Sequence, residues 1–371
     1  MINKFIAHIT FEAKTALKIG SKNADFLQDS PIQKDWNGLP MILGTSLAGV
    51  LRKEFDTKIA NDIFGDENTQ SKTAKGSRVI FSNALVLNEE EKVTETLLLE
   101  KSNFLKNFKE LPMRDHNSMD EKGVTKNGAK FDEEIIFKGS RFKFSIELIS
   151  NEEKDDELKT ILEQLFKNSF RIGAGSSKGY GQIEVFEIFY DTFDITSQKY
   201  ADFSSSLNTT LKNLYKKDIF EDDNYIKYEL KLTPDDFFMF GSGYADEQAD
   251  MTPVVEKVIN YDTKTLSENE ILIPASSVKG AISHRTTYHY NLLKRQFIEN
   301  GVKAQIVEAI FGAKKDNKED SFKGNILISD LYLKDDYEKS TKVFDHVSID
   351  RFTSGAIDGA LFQEKTVASR E

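Results

Sequence analysis

Phe170-Arg171-Ile172-Gly173-Ala174-Gly175-Ser176-Ser177-Lys178-Gly179-Tyr180-Gly181-Gln182-Ile183-Glu184-Val185 is the stretch on which the fold turns. It sets four glycines and two cationic side chains ahead of an alternating, strand-like run. Glycines at this density let the backbone take positive φ and come close to a ligand. Successive N–H groups in such a loop form concavities that suit phosphate oxygens. A dinucleotide-binding loop would run strand, G-x-G-x-x-G, helix. Here the spacing is G-x-G-x-x-x-G-x-G, a helical run (Leu158 to Phe170) precedes it and a strand (Gln182 to Phe189) follows, so that reading fails. A Gly-rich turn closing a ferredoxin-like unit against a polyanion fits the order. An ordinary helix-to-strand loop is the alternative.

Outward from this loop, the 371 residues suffice for two domains with substantial cores. A charged fraction of 30% and a hydrophobic fraction of 39% are those of a soluble globular protein. No apolar run reaches the length of a bilayer span, so no membrane partner is expected. Met1 to Ile6 begins as a strand and lacks the apolar region of a signal peptide. With no cysteine, disulfides and cysteine-ligated zinc or iron–sulfur sites are excluded, and a cytoplasmic location is expected. The net charge of −11 opposes non-specific duplex binding, which is driven by phosphate neutralisation. A nucleic-acid role therefore requires a local basic face, or a surface shared with other subunits.

The chain repeats itself. Leu39 to Ser46 enters a helix with Leu47, Val50, Leu51, Phe55, Ile59 and Ile63 on one face, Thr45 or Ser46 being the N-cap. Ile271 to Ser277 enters another, with Val278, Ala281 and Ile282 on its apolar face. Gly49 and Gly280 lie 231 residues apart at equivalent points, where glycine costs about 1 kcal/mol against alanine and so implies a close approach to the backbone. Ile310-Phe311-Gly312 answers Ile63-Phe64-Gly65, and a strand at Asn325 to Leu333 answers one at Arg78 to Leu87. Asp345-His346 answers Asp115-His116 at an offset of 230, and Phe362 and Glu364 answer Phe131 and Glu133. Five segments in one order at a nearly constant offset indicate a tandem duplication. The copies divide as 1–190 and 223–371, joined by a linker at 191–222, with a new strand at Tyr225 to Leu232. After Phe131 the first copy has about 55 more residues, a strand, a helix and the Gly-rich loop with its strand, which have no counterpart in the second. A sheet lacking those pieces has an open edge, so either the chain is a fragment or another polypeptide completes the second unit.

These segments together resemble the RAMP superfamily of CRISPR-associated proteins, and more narrowly the repeating crRNA-binding backbone subunit of type III effector complexes. The resemblance rests on Asp29-Ser30-Pro31 leading into Leu39-Pro40-Met41-Ile42-Leu43-Gly44-Thr45-Ser46-Leu47. Arg114-Asp115-His116, Gly128 to Glu134, and Gly173-Ala174-Gly175 with Lys178-Gly179-Tyr180-Gly181 support it. In the second copy, Ile273 to Ala281 followed by His284-Arg285 is similar to the fused versions of subtypes III-D and III-E. The resemblance covers nearly the whole chain outside the linker, and its specificity lies in the joint order of the motifs. It implies an α+β protein of two tandem ferredoxin-like (RRM-like) domains with thumb insertions, working beside other type III subunits. It implies crRNA held by its backbone and paired target RNA cut by one aspartate per unit. By position these are Asp29 and Asp250, the second in a looser match, Asp-x-x-Pro against Asp-x-Pro.

One aspartate suffices for such a cut if it holds a divalent metal, magnesium or manganese, or assists the 2′-hydroxyl that attacks the adjacent phosphate. A turn aspartate before proline is the structural alternative for Asp29. Helix starts at Ser46 and Ser277 offer N–H groups and a positive dipole end to phosphate, with Arg52, Lys279, His284 and Arg285 nearby; a capped helix with solvated cations is the alternative. The remaining RNA-binding candidates are Arg114, His116, Arg171, Gly173, Gly175, Lys178, His346 and Arg351. Five histidines without a His-x-x-x-His pair on an acidic helix argue against a zinc enzyme. The polar segment Asn117 to Lys130 suits a thumb that wedges between nucleotides. Two other readings stay open: a non-catalytic scaffold of the same complex, and a crRNA-processing endonuclease of the same superfamily.

Overall fold

The computed structural model describes residues 2–21, 31–66, 75–97, 102–117, 124–125, 128, 130–151, 155–216, 225–296, 304–313, 321–333 and 337–368. The first half is organised round β1 (Asn3–Ala13). It continues through β2 (Met41–Ile42), α1 (Gly44–Arg52), α2 (Thr57–Phe64), β3 (Val79–Phe81), β4 (Ala84–Val86) and the short α3 (Asn103–Lys106). A hairpin of β5 (Met113–His116) and β6 (Phe131–Glu134) follows, then β7 (Arg141–Ser150), α4 (Asp156–Glu163), β8 (Ile183–Asp194), α5 (Gln198–Ala201) and β9 (Asn213–Leu214). The sheet order is β2-β4-β7-β1-β8-β9, with β3 also on β7. β1 runs antiparallel to both neighbours, Phe11 facing Phe142 on one side and Val185 on the other. Paired along both edges, β1 is buried almost throughout, the polar Asn3, His8 and Thr10 included. Leu47, Leu51, Ile63, Leu158, Ile161 and Leu162 from the helices close one core over Ile9, Phe11, Phe144 and Ile146. Each such side chain, fully buried, stabilises the fold by about 1.5–3 kcal/mol.

Several expected boundaries move, each for a local reason. The single helix expected through Ile63 is two, because Asp56 interrupts it and caps α2 through the N–H groups of Lys58 and Ile59. The strand expected at Arg78 to Leu87 is split at Ser82-Asn83, whose side chains bond elsewhere. β8 runs on to Asp194, and Leu207 and Leu211, within the stretch expected to be a linker, are buried. Among the described residues, no atom outside the helix's own nearby backbone lies within 4 Å of where a β-carbon would sit at Gly49 or Gly280.

The second half contains β10 (Phe237–Phe238), β11 (Val255–Glu256), the pair β12 (Ile259–Asn260) and β13 (Thr265–Leu266), β14 (Glu270–Ile273), α6 (Ala275–Lys294) and α7 (Gln305–Phe311). It goes on with the pair β15 (Gly312–Ala313) and β16 (Phe322–Lys323), then β17 (Leu331–Leu333), α8 (Tyr337–Ser340), β18 (Thr341–Ile349) and β19 (Ala356–Ala368). Its sheets are β10-β19-β18 and β11-β14-β17. The duplication is visible in detail. Ile42 pairs with Ala84, and Ile273 with Leu331. The residue before each latter strand caps a helix: Gly44 N–H donates to Asn83 Oδ1 (2.9 Å) and Ala275 N–H to Asp330 Oδ1 (2.8 Å). Gly65 and Gly312 end the matched helices at φ 89° and 90°.

Other second-half expectations fail. The strand expected from Asn325 is confined to β17. α6 buries Ser283, Thr287 and Asn291 rather than Val278, Ala281 and Ile282. Residues 225–232 form no strand, and Ile226, Tyr228, Leu230 and Leu232 are exposed. β1 is a strand because β7 and β8 flank it, whereas no described strand flanks 225–232, so alternation alone does not order that segment.

The halves meet closely. Ile259 and Tyr261 join the first core, and Tyr261 Oη donates to the Leu87 carbonyl at 2.7 Å. At Gly139 (φ 86°) a β-carbon would lie 2.0 Å from the Ile259 carbonyl oxygen, and at Gly179 (φ 106°) 2.5 Å from Ala275 Cβ and Asp330 Oδ1.

Candidate nucleic-acid interface

Two hairpins, β5–β6 and β18–β19, carry the same clasp. The His116 ring stacks on Phe131 at 5.2 Å and 21°, and His346 on Phe362 at 5.0 Å and 17°. The imidazole Nε2 lies 3.2 Å from Glu133 Oε2 in the first and 3.1 Å from Glu364 Oε2 in the second. These partners face each other because the strands pair in register, His116 opposite Phe131 and His346 opposite Phe362. Around the first clasp, Tyr180 Oη is 2.8 Å from His116 Nε2, while Lys18 and Lys178 converge on Glu133 Oε1, Lys178 at 3.3 Å. Burial alone would raise the Glu133 carboxyl; His116, Lys18 and Lys178 outweigh it and hold the group well below the usual carboxylate range. Burial pushes the Tyr180 phenol up out of reach of ordinary pH. Lys178 also lies 4.7 Å over the Phe131 ring.

The Gly-rich loop thus joins the first clasp, though its glycines serve the chain itself. A β-carbon at Gly173 would meet the Lys18 carbonyl at 2.4 Å, and one at Gly175 the Tyr180 ring at 2.4 Å. The loop is tied to α6, where Lys279 Nζ donates to the Ser177 carbonyl at 3.4 Å. On α6, Ser277, His284 and Tyr288 share an exposed face, and Arg285 lies 5.1 Å over the Tyr288 ring. Arg351 and Phe352 occupy the β18–β19 turn, Phe352 being 97% exposed.

Other expected contacts are already engaged within the protein. Arg114 is buried, with Nε on Glu256 (2.5 Å), Nη1 on Asp330 (2.8 Å) and its guanidinium 4.8 Å over Tyr180. It joins the halves and presents no charge to solvent. Arg171 donates to the Asn168 and Phe170 carbonyls (2.8 and 3.1 Å), and Arg52 to Gly65 O (2.7 Å) and Asn61 Oδ1 (2.6 Å) in a cleft of about 540 Å³. The helix starts are not open to phosphate in the expected way. Ser46 N–H donates to Leu43 O and Ser277 N–H to Pro274 O, and the first N–H of each helix is capped from the neighbouring strand.

Asp29 lies outside the described residues, as do most of 117–130. Asp250 is exposed in the loop before β11, and its Oδ2 accepts the Gln363 N–H of β19 at 2.8 Å. The loop is pinned there by Met251 N–H to Gln363 O (3.1 Å) and Lys365 N–H to Met251 O (2.8 Å). No group of three or more His, Asp or Glu able to hold a metal occurs among the described residues, so Asp250 alone is short of a ligand set. No described helix is long and apolar enough to cross a membrane.

Sequence reasoning paired the hairpins by matching His, Phe and Glu but did not see that they touch each other. It placed Tyr180 within the Gly-rich motif without giving it a role, and it missed Lys18, whose partner Glu133 lies far away in the chain. For Lys18 no sequence signal existed.

A profile of the RAMP superfamily matches residues 10–184 and 240–371. The chain is similar to the CRISPR system Cms endoribonuclease Csm3 of Methanocaldococcus jannaschii, 28% identical over 199 residues, covering 47% of this chain and 72% of that one. A weaker likeness links it to a chain in the cryo-EM structure of a type III-B Cmr-beta complex bound to cognate target RNA, with TM-score 0.36 and 19% identity. That match covers 50% of this chain and 60% of the other, so less than two thirds of the latter's length.

Proposed function

Since the chain belongs to the RAMP superfamily, we propose that it is a backbone subunit of a type III CRISPR effector ribonucleoprotein. In this reading two ferredoxin-like units bind crRNA and present Asp29 and Asp250 to paired target RNA. The observation that carries it is the repeated hairpin clasp, His116–Phe131–Glu133 and His346–Phe362–Glu364, which gives two like-built hairpins on one chain. A guide held along both units meets one hairpin per unit. The exposed Phe352 at the second tip then acts as a wedge between nucleotides. Lys178, Ser277, His284, Arg285 and Arg351 supply polar and cationic contacts that offset the acidic total. The similarity to an endoribonuclease supports cleavage.

At the cut, an aspartate takes the proton of a splayed nucleotide's 2′-hydroxyl. That oxygen attacks the adjacent phosphorus, and the bond to the 5′-oxygen breaks as it gains a proton from solvent. Holding the nucleotide in line contributes most of the rate, as a proximity effect. Magnesium or manganese would neutralise phosphate charge, with RNA oxygens completing its ligand set; loss of cutting in EDTA tests for it.

One observation favours a second reading. Asp250 already accepts a main-chain N–H, as a purely structural turn residue does, and this suits a non-catalytic scaffold. Copurified RNA, sequenced from the complex assembled with its neighbouring subunits, tests guide binding: spacer-derived guides of defined length are expected. Asp29→Ala and Asp250→Ala, each removing one product from the target ladder, separate catalysis from scaffolding. An unchanged ladder in both leaves the scaffold.

A further inference from the structure

The loop that carries Asp250 is held from two sides, and one of them is the first unit. Tyr244 Oη donates to Asp115 Oδ2 of β5, and Lys130, at the foot of β6, sits 3.4 Å from the same carboxylate oxygen and 5.2 Å over the Tyr244 ring. The link from Tyr244 to Asp250 is stiff. Thr252 Oγ1 donates to the Tyr244 carbonyl at 2.9 Å, and Ser242 Oγ accepts the Tyr244 N–H at 3.0 Å. Ser242 N–H donates to Thr252 O at 2.8 Å, and Val254 N–H to Phe240 O at 2.7 Å, closing the loop's neck. Asp246, paired with Lys365, caps Gln248 and Ala249 on the far side. A displacement of Tyr244 therefore reaches Thr252, two residues past Asp250, through hydrogen bonds rather than slack backbone. The Tyr244 ring is more than half exposed, so its hydroxyl has little to do with the fold's stability.

We infer that Tyr244 is a positioning residue: its contact with Asp115 and Lys130 on the first unit's hairpin sets where the Asp250 carboxylate stands in the second. This rests on the proposed role of Asp250. An RNA strand that seats on the β5–β6 hairpin would then bias the cutting loop of the next unit, which makes the two positions dependent in one direction.

The test uses the complex reconstituted with guide RNA and its partner subunits, end-labelled complementary target, and single-turnover rates for each product. Asp250→Ala identifies the product that depends on Asp250. Tyr244→Phe keeps the ring over Lys130 and removes only the hydroxyl; Asp115→Asn keeps an acceptor and removes the charge. Tyr244→Phe is expected to slow that one product about three- to tenfold, the worth of one partly exposed, charge-assisted hydrogen bond. Target affinity and the other product are expected to hold, and the double variant to be no slower than Tyr244→Phe alone. If Asp250→Ala removes a product that Tyr244→Phe forms at the wild-type rate, the inference is overturned while the role of Asp250 stands. If Asp250→Ala leaves the ladder whole, that role falls and takes the inference with it.

Discussion

Arg114→Met isolates what joins the two halves. Methionine keeps most of the arginine stem's volume and removes the guanidinium. In the native chain that guanidinium serves Glu256 and Asp330 at once, side chains that are 7% and 0% exposed, while Asp330 also caps α6 through Ala275. Removing one partner of a buried pair costs about 3–5 kcal/mol, because the stranded charge has neither water nor counter-charge. Over 371 residues, at ~2.1 cal/mol/K each, 4 kcal/mol is about 5 °C in melting temperature. The pH dependence has a definite sign. Burial already holds the Asp330 carboxyl above its ordinary range, even with Arg114 beside it. Without Arg114 it rises further, and the folded variant takes up a proton that the unfolded chain releases. The penalty is therefore largest near neutral pH and shrinks as acid protonates the carboxyls. Arg114→Met/Asp330→Asn should recover much of the loss, since asparagine can cap α6 as Asn83 caps α1. Urea unfolding at pH 7.5 and 5.5, with hydrogen exchange on β5 and β14, measures this. A loss within about 0.5 kcal/mol at neutral pH, the range of an ordinary surface change, refutes the reasoning.

Gly179→Ala should destabilise by about 2 kcal/mol or more in urea unfolding, since it combines a positive φ with a β-carbon driven into Ala275 and Asp330; a neutral effect means the interface yields. His8 is buried on β1, and burial with the Lys143 charge pushes its imidazole down to about 4. The unfolded chain then binds the extra proton between about pH 6.5 and 4, so stability falls with acid by roughly 3 kcal/mol, and His8→Gln should flatten that slope. Phe352→Ala should leave the melting curve within about 0.5 kcal/mol while weakening RNA retention by the assembled complex in filter binding. Asn83→Ala, which strips the α1 cap, should cost about 1 kcal/mol by the same unfolding assay.

Much of the fold was legible where local pattern and pairing agree. β1 alternates and finds β7 and β8, so its reading held. Residues 225–232 alternate as well and have no described partner, so the same pattern misled. Helix starts were found to within a residue or two, but their caps come from Asn83 and Asp330, far along the chain. Cationic residues were the least legible. The Arg114-Asp115-His116 motif singles out Arg114, but its partners are two carboxylates more than 140 and 210 positions away, which no local pattern reveals. Lys178 and His116 do come together, but through Glu133 and Tyr180 rather than by adjacency.

The abutments at Gly139 and Gly179 set how closely the two halves approach. Main chain rests on main chain at the first, and at the second a bare α-carbon lets α6 and its capping carboxylate approach; neither leaves room for a methyl group. Both contacts bring the second half against the first through positions where only glycine fits, so a single added methyl at either point is felt across the join rather than within one half alone.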